Sequence, residues 1–164
     1  MEKAAAPYLT IYLNDHLAGA AAGVGRSRAL ARAHRGRADE ERLRRLADEI
    51  ATDRGALLAV MASLNVPVRH YKSLAMAAVE MAGRLKFNGR LKKRSPLTDL
   101  VEYEFLRLAV EGKAAGWRTL LAVADRTPDL DRAELEKLHE RAQAQIALLE
   151  DLRMSAAAEV FGSH

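Results

Sequence analysis

The chain has no cysteine, which excludes disulfides, thiol nucleophiles, cysteine-ligated zinc and iron–sulfur clusters. Aromatic residues make up only 5% of it, too few for a series of base-stacking platforms. With 10 glycines and 4 prolines in 164 residues, it also lacks the turn chemistry of a many-stranded sandwich. No run of about 18 apolar residues occurs, so no membrane-spanning helix is expected. The start, Met1-Glu2-Lys3 followed by Ala4 to Ala6 and Pro7, has no basic region leading into a continuous apolar stretch. A secretory signal is therefore not expected, and a cytoplasmic setting fits. Ser63, Ser73, Ser95 and Ser155 have no histidine–acid pattern at helical spacing, and no glycine-rich phosphate loop follows a strand pattern.

What remains is helical material. Hydrophobic residues account for 49%, much of it Ala, Leu and Val, and charged residues for 29%. A chain of this length forms one domain, residues 1–164, with enough apolar content for a core. The periodicity predicts long helices over about 9–34, 39–65, 96–126 and 131–160, with a short one over about 74–87. On the first, Leu9, Leu13, His16, Leu17, Ala20, Val24, Ser27 and Ala31 share a face. Gly36 is the expected stop and Asp39 the next cap. Leu43, Leu46, Ile50, Asp53, Leu57, Val60, Met61 and Leu64 line the second, which Pro67 ends.

Ser95-Pro96 is a cap followed by proline in the first turn. The third long helix then carries Leu97, Val101, Glu104, Leu108, Glu111, Ala115 and Ala122 on one face, with Phe105, Leu106, Val110, Trp117 and Leu121 around the rest. Apolar residues on several sides predict deep burial, and Trp117 is expected in the core. Asp131 and Glu134 open the last helix, with Leu135, Leu138, Ala142, Ile146, Leu149, Leu152, Ala156 and Val160 on its stripe. The short first and last connections imply two antiparallel hairpins. About thirty residues join them, enough to travel back along the bundle and make the second and third long helices parallel.

Tyr12-Leu13-Asn14-Asp15-His16-Leu17-Ala18-Gly19, Gly83-Arg84-Leu85-Lys86-Phe87-Asn88-Gly89-Arg90 and Ser95-Pro96-Leu97 resemble an actinobacterial-type group of uncharacterised proteins with a ferritin-like four-helix bundle. Val110-Glu111-Gly112-Lys113 and Trp117 extend the likeness over most of the chain. The resemblance implies the bundle, not an activity.

Ferritin-like di-metal centres use a Glu from each of two helices and a Glu-x-x-His from each of the other two. One such motif is present, Glu136 to His139, but at about 100° per residue it sits about 140° and 80° from the centre of its helix's apolar stripe. Glu49 is followed three residues later by Thr52, so the partner motif is missing. A reduced iron or manganese site is the expectation left open, with His16, Asp53, Glu104 and Glu111 as ligands. Its plainer rival is a buried ionic network in which arginines such as Arg54 or Arg118 neutralise the inward acids. Gly19 and Gly23 are expected to permit close helix contact.

The net charge is only +4, yet the crossover gathers Arg69, Lys72, Arg84, Lys86, Arg90, Lys92, Lys93 and Arg94 against Glu80 alone. Arg84, Lys86, Arg90, Lys92, Lys93 and Arg94 are candidate phosphate contacts, with a nucleic acid or another anionic molecule as partner. Solvation of the loop and packing against a second copy of the chain are the competing roles. A structural or interaction role ranks ahead of a metal-dependent redox function, and that ahead of anion binding; catalysis is not favoured.

Overall fold

The structure, a computed structural model, describes residues 7–69 and 94–162. Four helices fill these segments: α1 (Pro7–Ala33), α2 (Glu40–Ser63), α3 (Pro96–Ala124) and α4 (Arg132–Phe161). No strand occurs among the described residues, and no helix there is long and apolar enough to cross a membrane. The short helix expected over 74–87 lies outside them, as do Arg84, Lys86, Arg90, Lys92 and Lys93.

Local chemistry explains where the helices begin and end. Gly36 closes the turn after α1 with φ +74°, a left-handed conformation that costs glycine little. Its amide donates to the Glu40 carboxylate at 2.7 Å. Asp39 precedes α2 but makes no side-chain cap, and its carboxylate meets Arg42 instead. Asn65 takes φ 52° after α2, and the Val66 amide returns to the Met61 carbonyl. The Ser95 hydroxyl accepts from the Thr98 amide ahead of Pro96. Asp131 does the same for the Glu134 amide at 3.1 Å, a cap worth about 1 kcal/mol.

Cross-helix pairs fix the directions. Tyr12 meets Thr119 near the start of α1, and His34, just past its end, meets Tyr103, so α1 and α3 are antiparallel. Arg42 pairs with Asp151 and Arg141 with Asp53, so α2 and α4 are antiparallel. Arg153 with Glu104 and Lys113 with Gln145 set α4 against α3 in the same sense. It follows that α2 and α3 point the same way. Residues 69 and 94 consequently lie at opposite ends of the bundle. Asn14 secures the first exit: its amide group donates to the Pro67 carbonyl and its carbonyl accepts from the Arg69 amide.

The core runs the length of the bundle through Leu13, Leu46, Met61, Leu106, Leu138 and Leu149. Each such side chain is worth about 1.5–3 kcal/mol on burial. The expected faces of α2 and α4 are the buried ones. On α3 the buried face carries Leu100, Tyr103, Leu106, Val110, Trp117 and Leu120 instead. Leu97 and Leu108, assigned inward from the sequence, are exposed. Both faces are apolar, and the aromatic-bearing one removes more area from water.

At the end of α1 a second polar cluster is buried. His34 Nδ1 donates to the Leu30 carbonyl, which can only accept, leaving Nε2 3.0 Å from the Tyr103 hydroxyl and 3.5 Å from Asp99. Asp99 also receives Arg37 at 2.8 Å and Arg94. Burial opposes its ionisation, but its interactions with His34, Arg94 and Arg37 outweigh that and bring its pKa from 3.8 down to about 2. Burial, with the Asp99 charge nearby, pushes the Tyr103 hydroxyl up to about 12.

Two measurements check this account. In urea unfolding, Leu106→Ala (1% exposed) is expected to cost about 2–5 kcal/mol, while Leu108→Ala (63% exposed) changes stability by less than about 0.5 kcal/mol. Equal effects would mean that the face of α3 is misassigned. Because the folded-state pKa of Asp99 is depressed, its contribution is complete above about pH 4 and is lost as pH falls toward 2. Asp99→Asn should remove up to about 2 kcal/mol of that acid-dependent loss, read as a flatter stability profile between those pH values.

Candidate functional site

A cavity of about 430 Å³ lies among α1, α2 and α3. Leu13, Ile50, Leu57, Leu106, Val110 and Leu120 give it apolar walls, while Gly19, Gly23, Gly112 and Gly116 line it without side chains. A Cβ on Gly19 or Gly112 would meet no atom within 4 Å, and on Gly23 only Ile50 at 3.9 Å. Thus Gly19 and Gly23, expected to bring helices close together, instead border empty space. The tight contact is at Gly116, where an added Cβ would sit 2.9 Å from the His16 ring. Nothing in the sequence periodicity marked that glycine.

Five polar side chains shape the interior. His16 is half-buried, its ring 4.5 Å from Tyr12 in an edge arrangement. Burial lowers its pKa, and the Asp15 carboxylate next to it only partly opposes this. The imidazole is therefore mainly neutral at pH 7. Trp117, the single tryptophan of the chain, is buried, and its Nε1 has no hydrogen-bond partner among the described residues. An indole N–H donates only, so it is a donor awaiting an acceptor. Arg54 is half-buried on the cavity wall and has no ion-pair partner among the described residues.

The remaining two, Asp53 and Lys113, belong to a network behind the wall. Asp53 is 1% exposed. One of its oxygens takes Arg141 Nε at 2.7 Å; the other takes Lys113 and the Gln145 amide, the latter at 3.2 Å. Gln145 accepts from Lys113 and donates to Glu49 at 3.1 Å, so its functional group is fully used. Burial pushes the Lys113 ammonium below its ordinary value, although Asp53 works the other way. Removing one partner from such a cluster costs about 3–5 kcal/mol, because a buried charge is left alone.

The four ligand candidates do not converge. Asp53 is neutralised by Lys113 and Arg141, neither of which the sequence identified as its partner. Glu104 is exposed and pairs with Arg153; Glu111 lies outside the cavity lining and pairs with Arg107. Their inward placement is corrected along with the face of α3. His16 alone shares the cavity with Asp53. Among the described residues no three His, Asp or Glu side chains are grouped to hold a metal ion. Glu136 is exposed and salt-bridged to Arg132, as its place on the helix predicted.

Of the anion-binding candidates only Arg94 is described, and it is turned inward upon Asp99 and Glu102. A different positive groove, of about 250 Å³, lies at the α1–α2 turn, where Arg28, Arg32, Arg35 and Arg44 face Glu40 and Asp48. No protein-family pattern, curated protein or solved structure matches the chain.

The seating of His16 on Gly116 is testable by substitution. Gly116→Ala must displace the ring from the backbone, returning it toward water. Its pKa should rise toward the ordinary 6.5, since burial is what lowers it. NMR titration of the imidazole Hε1 resonance reads this directly. An unshifted midpoint would mean that the ring does not rest there.

Proposed function

We propose that this chain is a ferritin-like helical bundle whose role is to bind a small, mostly apolar molecule inside the bundle, rather than to hold metal ions for redox chemistry. The observation that carries this reading is the cavity itself: about 430 Å³, apolar-walled, with the buried Trp117 in its lining. That volume falls within the range of small-molecule sites, about 300–1,000 Å³, where a few polar groups orient a ligand held mainly by apolar contact. The antiparallel pairs and the parallel α2 and α3 support the ferritin-like arrangement. Separation of His16, Asp53, Glu104 and Glu111 weighs against the redox alternative. A cytoplasmic setting belongs to the same proposal, supported by the absence of cysteine.

Binding here makes no demand for a nucleophile or a general base. A ligand fills space against the apolar walls and stabilises the folded state in proportion to its occupancy. Such a protein carries, senses or sequesters its ligand.

Trp117 supplies the assay, because all tryptophan emission comes from the cavity wall. Titration with 1-decanol is expected to change that emission saturably and to raise the melting temperature. Gly19→Leu places a side chain at the cavity in open space and replaces a helix-weakening glycine, so the variant folds. It should abolish the emission change. A non-saturable response, or one that survives Gly19→Leu, would sink the reading.

A further inference from the structure

The polar groups on the cavity wall are unequal in sign and in commitment, and this selects among apolar ligands. Asp53 is spent on Lys113 and Arg141. It offers nothing to a cationic guest. Lys113 has three N–H donors, of which Asp53 and Gln145 take two. Arg54 brings a guanidinium with five donors and no ion-pair partner among the described residues. The neutral His16 ring presents at most one donor more. The other acid on the lining among the described residues, Asp15, is exposed, so water screens it.

We infer that the ligand is a monocarboxylate with an apolar chain, its head group held between Arg54 and Lys113 and its tail among Leu13, Leu57, Leu106 and Leu120. This rests on the preceding reading that the cavity is a ligand site. A carboxylate accepts in the planar, forked geometry a guanidinium presents, and charge-assisted bonds of this kind are about twice as strong as neutral ones. An alcohol of the same length fills the same volume and satisfies fewer donors. An alkylammonium would meet the Arg54 and Lys113 cations on the wall while Asp53 is already engaged. The head-group preference is thus a property of Arg54 and Lys113, and the tail's affinity a property of the apolar walls.

The two are separated by measuring Trp117 emission with decanoate, 1-decanol and decyltrimethylammonium at pH 7.5, using the full chain and Arg54→Met. Methionine keeps the apolar stem of the arginine and breaks no ion pair described in the structure, so folding is preserved; Arg45→Met on the exposed surface serves as the control. Decanoate is expected to bind at least about tenfold more tightly than decanol, with decyltrimethylammonium weakest. Arg54→Met should erase the advantage of decanoate over decanol, and Arg45→Met should alter neither affinity. Decanol binding as tightly as decanoate, or an advantage that survives Arg54→Met, overturns this inference while leaving the cavity reading intact. Absence of binding by all three overturns both.

Discussion

A carboxylate sealed inside a helical bundle imposes its requirements on every helix around it. Asp53 sits on α2, and its charge is met by Lys113 from α3 and Arg141 from α4, with Gln145 filling the remaining hydrogen-bonding capacity. Desolvating an unpaired carboxylate costs several kcal/mol, so the three helices are held in one register relative to each other. An apolar cluster of the same volume would pack as stably, but it would tolerate sliding. The ionic one does not. Arg54, next to Asp53 on α2, stands on the cavity wall without an ion-pair partner among the described residues.

The cluster around Asp99 repeats the same principle at the other end. There the acid lies on α3, and its partners come from the α1–α2 turn and from Arg94, just ahead of its own helix. Two buried acids, spaced along the bundle, thus attach the hairpins to each other, while the leucine core supplies most of the free energy. The cavity lies on the Asp53 side, where glycines on α1 and α3 leave the packing incomplete.

Much of this was legible in the residues. The caps at Ser95 and Asp131, the stop at Gly36 and the buried faces of α2 and α4 follow from local chemistry and a strong 3.6-residue period. The face of α3 did not, because Leu97, Val101 and Leu108 make a second apolar stripe as convincing as the buried one. Choosing it carried Glu104 and Glu111 inward with it. That Asp53 is buried was readable from its neighbours Ile50 and Leu57; that Lys113 and Arg141 would reach it was not, since they lie 60 and 88 positions away. Thr10 and Asn14 defeated the hydrophobic pattern for another reason. They are polar residues inside the fold, and Asn14 replaces its lost hydration with main-chain partners at Thr10, Pro67 and Arg69.

The seam between α1 and α3 is fastened unevenly. Beyond the end of α1 it closes on the dry His34–Tyr103–Asp99 cluster; near the beginning it relies on one bond between the Tyr12 and Thr119 hydroxyls, close to solvent. By burial alone the pair resembles a clothes peg, sealed at the sprung end and wetter at the jaws. The weaker end lies one helical turn from His16, whose ring rests against Gly116 in the cavity lining.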